Sequence, residues 1–169
     1  MTETLHRLLD GVYLACIWIS GIAILLMSLI IPWGIYARYV MGSGSSWPEP
    51  VAVLLMVTFT FFGAAATYRA SGHIAVGMLI DQLPARARWF CAKLVDVLMI
   101  GICGFVIVWG TKLSMETMRQ GLAELPWLPV GYTYLPLPIG CFLILLFVVE
   151  NVLAGPQSHR AVVTFDHEP

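Results

Sequence analysis

Charge is what this sequence lacks most. Of its 169 residues only 11% are Asp, Glu, Lys or Arg, while 59% are hydrophobic; an ordinary soluble domain carries about 25% charged residues. No charged residue occurs from Gly11 to Ala37, from Pro50 to Tyr68, from Val97 to Thr111, or from Leu125 to Val149. A soluble surface cannot be built over such runs, whereas a bilayer core of ~30 Å calls for roughly 20 apolar residues at helical rise. Three of the runs reach that length alone. The third does so with its flanks, where Lys93, Asp96 and Lys112 can extend to the interface.

Histidine is equally scarce where it would matter for a haem. His6, His73, His159 and His167 all lie outside the apolar runs, so no pair of axial ligands projects from a span. The four cysteines, Cys16, Cys91, Cys103 and Cys141, stand singly without C-x-x-C, and three of them sit in apolar runs as small hydrophobes. Paired carboxylates and a glycine-rich phosphate loop are missing. Ser20 and Ser28 have no histidine at depth to activate them, and bonds back to their own helix account for them. No ionisable residue lies at mid-span, and Glu150 falls near the end of the fourth. Buried ionisable groups usually mark an ion or substrate path. Their absence points away from an enzyme or a self-sufficient transporter and towards an accessory subunit. A net charge of -1 gives no reason to expect nucleic acid.

What is present reads as an all-α integral membrane protein. It has four transmembrane helices, at about residues 12–36, 48–69, 84–111 and 136–153, plus short interfacial amphipathic helices. Residues 1–155 form one membrane domain, and 156–169 a polar tail. Six basic residues (Arg7, Arg69, Arg86, Arg88, Lys93, Arg160) fall on one side and three (Arg38, Lys112, Arg119) on the other, which predicts both termini in the cytoplasm. The segment from Ile74 to Leu83 has the spacing of a short interfacial helix broken by Pro84. After the third span a short outer helix is expected to about Leu122. An interfacial loop holding Trp127, Tyr132 and Tyr134 would follow.

The first loop, "ARYVMGSGSSWPEP", concentrates the early polar chemistry. Trp33, Tyr36, Tyr39 and Trp47 suit a membrane interface. Pro48 and Glu49 suit a helix start, the acid favouring the positive end of the helix dipole. Arg38 and Glu49 carry opposite charges at the two ends of the loop. They either pair with each other, hold a partner at this face, or serve as plain interfacial anchors. Gly63–Ala66 on span two, and Gly101 and Gly104 on span three, permit close helix approach within the chain or against a partner.

Taken in order, "ARYVMGSGSSWPEP", "FFGAAATYRASGHIAVGMLIDQLP", a basic segment and "LPWLPVGYTYLPLPIG" resemble the small permease subunit of tripartite ATP-independent periplasmic (TRAP) transporters, over about residues 8 to 153. The resemblance implies a bacterial inner-membrane scaffold without cofactor, set among membrane lipids. Its partners would be a large TRAP permease subunit, which binds substrate and sodium, and a periplasmic substrate-binding protein that delivers an organic acid such as a dicarboxylate or sugar acid. Arg38, Trp47, Glu49, Arg69 and His73 match the family pattern. With Gly63 of the small-residue patch they are the candidate architectural or subunit-interface residues. Pro50 stands where the family commonly has a second acid. Two other readings remain, the small subunit of a related tripartite tricarboxylate transporter and the membrane anchor of a haem-containing redox complex.

Overall fold

Within a bilayer a backbone amide finds no water, so each long apolar run must satisfy its amides inside its own helix. The computed structural model describes residues 3–44, 46–70, 84–122 and 125–154. Over these it forms α1 (Glu3–Tyr39), α2 (Pro48–Arg69), α3 (Ala85–Thr117), α4 (Val130–Tyr134) and α5 (Pro136–Ala154). Among the described residues the sole extended pairing is an isolated bridge between Gly121 and Pro129. Four of the described segments are long and apolar enough to cross a membrane: Arg7–Tyr39, Pro48–Arg69, Lys93–Thr117 and Val130–Val152. Segment 74–83 and the tail 156–169 lie outside the described residues.

Helix length separates the edges of the array from its middle. At 37 residues, α1 is ~55 Å long, far more than the ~30 Å hydrocarbon core. It starts well before the charge-free run because nothing from Glu3 to Asp10 breaks a helix, and it continues through Pro32. The 33 residues of α3 are similarly overlong, whereas α2, with 22 residues, is of bilayer length. Pro84 stands at the N-cap of α3, where its missing amide costs nothing.

The principal contacts run α1 to α2, α2 to α5, and α5 to α3, so α2 and α5 form the middle of a row with α1 and α3 at its edges. The core is correspondingly centred on α5. Cys141, Ile144, Phe147 and Val148 are buried there against Ala65 and Ala66 of α2, Cys16 of α1 and Cys103 of α3. Small side chains set the spacing. A Cβ added at Gly140 would stand 2.5 Å from the Phe61 Cβ, so α2 and α5 approach as closely as they do only over a glycine. The outward faces of α1 and α3 carry exposed Trp18, Leu25 and Leu29, and Val97, Phe105 and Val108.

One expected break is not there. Lys112–Thr117 continues α3 rather than opening a separate outer helix. No glycine or proline interrupts these residues, and the buried Ser114 hydroxyl donates to the Gly131 carbonyl at 2.9 Å, pinning this end of α3 to α4. The chain then returns through the Gly121–Pro129 bridge, closed by the Val130 amide donating to the Gln120 carbonyl at 2.8 Å. Tyr132 and Tyr134, expected in a loop, lie on the short helix α4.

Candidate functional site

Arg69 is the last residue of α2, where a cation complements the negative end of the helix dipole. Its side chain is only 6% exposed. The guanidinium forks onto both oxygens of Glu150 on α5, Nε donating to Oε2 at 2.8 Å and Nη2 to Oε1 at 2.9 Å. Nη2 also donates to Asp10 Oδ1 on α1 at 2.6 Å. The rings of Tyr13 and Phe147 lie 5.3 and 5.4 Å from the guanidinium carbon, within cation–π range. Three helices thus converge on one cation. The Glu150 side chain is 1% exposed and that of Asp10 30%, so the cluster reaches from the interior to the rim.

Beside it, α3 joins the same end. The Tyr68 hydroxyl interacts with Asp96 of α3 and Asn151 of α5, and Asp96 in turn sits 3.6 Å from Lys93. Every long helix therefore contributes a polar group to this end: Asp10, Tyr68 with Arg69, Asp96, and Glu150 with Asn151. Such a layer ties helices together. Arg69 matches the sequence-derived candidates, but the convergence of Asp10 and Glu150 on it was not foreseen.

At the opposite end, Arg38 and Glu49 do pair with each other, Nη2 to Oε2 at 3.6 Å, with side chains 56% and 77% exposed. The turn that brings them together closes at Gly42, whose φ of +61° lies in the left-handed region. The amide and hydroxyl of Ser43 both donate to the Ala37 carbonyl at 3.1 Å. Trp47 occupies the N-cap of α2 without a side-chain capping bond, and the buried Pro48 packs against Gly34, where an added Cβ would come within 2.9 Å. Trp33 and Tyr36 pack with ring centroids 6.1 Å apart.

In the small-residue patch Ala65 and Ala66 are buried in the chain's own core, and Gly63, Ala64 and Ala66 line a groove of about 660 Å³ with Ser20 and Thr67. Added Cβ atoms at Gly101 and Gly104 would meet nothing within 4 Å among the described residues, so those two glycines hold none of the described helices. Ser20 and Ser28 bond back to the Ile17 and Ile24 carbonyls at 3.0 and 2.8 Å. His73 lies outside the described residues. Among the described residues, no group of three His, Cys, Asp or Glu could hold a metal ion.

Residues 27–156 match the family model of the DctQ component of tripartite ATP-independent periplasmic transporters. The chain belongs to this family. A protein named as a TRAP transporter small permease in Haemophilus influenzae is 24% identical over 154 residues, covering 91% of this chain and 92% of the relative. The sialic acid TRAP transporter small permease protein SiaQ of Vibrio cholerae is 24% identical over 142 residues, covering 79% and 80%. This DctQ-family chain is a small permease subunit and a multi-pass inner-membrane protein, not an enzyme. Membership displaces the tricarboxylate-transporter and haem-anchor readings.

Proposed function

We propose that this subunit is a non-catalytic scaffold. It braces a large TRAP permease subunit during sodium-driven uptake of an organic acid that a periplasmic binding protein delivers. The observation that carries the reading is the Arg69 cluster, in which buried charge is spent on fastening α1, α2 and α5 to one another. A row of helices locked at one end, with apolar faces on its two edge helices, suits a rigid brace. The Vibrio relative is named for sialic acid, a sugar acid, which accords with the substrate class proposed.

The locked end faces the cytoplasm in this reading, with both termini there, because Arg7, Arg69 and Lys93 gather on that side. Residues 1–155 act as one membrane domain, and Arg38, Trp47, Glu49, Gly63, Arg69 and His73 serve architecture or subunit contact. Co-expression with the large subunit tests the proposal. Reconstituted uptake should require both chains, the binding protein and a sodium gradient. Transport by this chain alone, or full transport without it, would overturn it.

A further inference from the structure

Between α1 and α2, at the end opposite the Arg69 cluster, runs an open groove of about 370 Å³. Its walls are apolar: Met27, Ile31 and Ile35 from α1, with Ala52, Val53 and Met56 from α2. Its mouth is charged, formed by Arg38 and Glu49, with Tyr39 alongside. The floor at that end is the close contact of Gly34 with Pro48. We infer that this groove binds a phospholipid whose headgroup carries both a phosphate and a primary ammonium.

Length argues for a lipid over a helix. From Met27 to Arg38 the wall measures ~16 Å at helical rise, about half of a ~30 Å hydrocarbon core. That is the depth of one leaflet, the reach of an acyl chain whose headgroup stays at the mouth. A partner's transmembrane helix would run on through the other half, where this groove does not extend.

Charge argues for the headgroup class. A guanidinium is suited to bidentate binding of phosphate, and a carboxylate accepts hydrogen bonds from an ammonium. Arg38 and Glu49 present both at one level, 3.6 Å apart and largely exposed. So exposed a pair is weakly held, and a zwitterionic headgroup can enter between its members, keeping each charge matched. A quaternary ammonium has no N–H to offer Glu49, and an anionic headgroup leaves Glu49 facing a phosphate.

Positional photo-crosslinking tests this on the chain assembled with its large membrane partner. A photoreactive residue replaces Val53 on the groove wall. The membranes contain phosphatidylethanolamine, phosphatidylcholine and phosphatidylglycerol in equal amounts. The expected product is a phosphatidylethanolamine adduct, favoured over the other two. Glu49→Gln, an exposed and near-isosteric change, should abolish the preference for phosphatidylethanolamine over phosphatidylcholine. Arg38→Ala should reduce adducts of all three lipids by about tenfold, the usual effect of losing a charge-assisted hydrogen bond. Ala52→Phe, which fills the groove while leaving its mouth intact, should do the same. Crosslinking chiefly to a polypeptide would show that the groove seats a protein and overturn the proposal. Equal yields of the three lipids, unchanged by Glu49→Gln, would reduce the site to generic bilayer contact and also overturn it.

Discussion

Arg69 and Glu150 meet in a two-pronged ion pair, 2.8 and 2.9 Å, across 81 residues of sequence. With Asp10 as a third member, this pair makes the three-helix junction. Burial makes it costly to break, because deleting Glu150 removes two of the three carboxylate bonds made to a buried guanidinium among the described residues and leaves it under-compensated in a low-dielectric interior.

Glu150→Ala should therefore destabilise the purified subunit by about 3–5 kcal/mol. Arg69→Lys, with Glu150 in place, should also destabilise the subunit, since an ammonium cannot fork onto the two Glu150 oxygens while reaching Asp10. Thermal unfolding in detergent measures both. Replacing the cluster with apolar residues of similar size, Asp10→Leu, Arg69→Met and Glu150→Leu together, should recover most of the loss.

The opposite end should behave differently. Arg38 and Glu49 pair in an exposed setting, where a salt bridge contributes ~0–1 kcal/mol. Arg38→Ala should leave the unfolding temperature almost unchanged. A large drop would mean that the pair is buried in the folded subunit after all.

Glycines offer a packing test. Gly140→Ala brings a Cβ to 2.5 Å from Phe61 and should cost about 1–3 kcal/mol through overpacking. Gly101→Ala meets open space in the middle of α3 and should be neutral or slightly stabilising, since alanine is the better helix former. The same unfolding assay compares them.

Thiol labelling reads burial and sidedness together. Cys16, Cys103 and Cys141 are buried, and Cys91 is partly exposed near the start of α3. A membrane-impermeant maleimide should modify Cys91 alone in the folded subunit, and all four thiols after denaturation. In cells it should reach Cys91 only once the cytoplasmic face is opened. Labelling of Cys91 from the periplasmic face would reverse the proposed orientation.

Much of the fold could be read from the charge-free runs, because a bilayer allows such runs little besides a helix. The junction was harder to read, since ion pairing between distant residues leaves no local periodicity. A signal existed nonetheless. Asp10 immediately precedes the first run, and Arg69 and Glu150 immediately follow the second and fourth. Helices that alternate in direction bring those three boundary residues to one end of the membrane. Arg38 and Glu49 bound the first two runs at the other end, and there the sequence reading did include the pairing that the structure shows. The continuation of α3 through Thr117 was missed because its last turns are polar, and its anchor, Gly131, lies beyond an intervening turn.

Since α5 lies at the heart of the row and follows the other described helices in the chain, the junction cannot close until it has been made. After Arg69 leaves the ribosome, Glu150 follows 81 residues later, a delay of ~4–16 s at ordinary rates of synthesis. In that interval Asp10 is the sole carboxylate of the junction already made, and α2 has no central neighbour to close upon. A chain cut short before residue 150 therefore carries a buried arginine without its principal counter-charge.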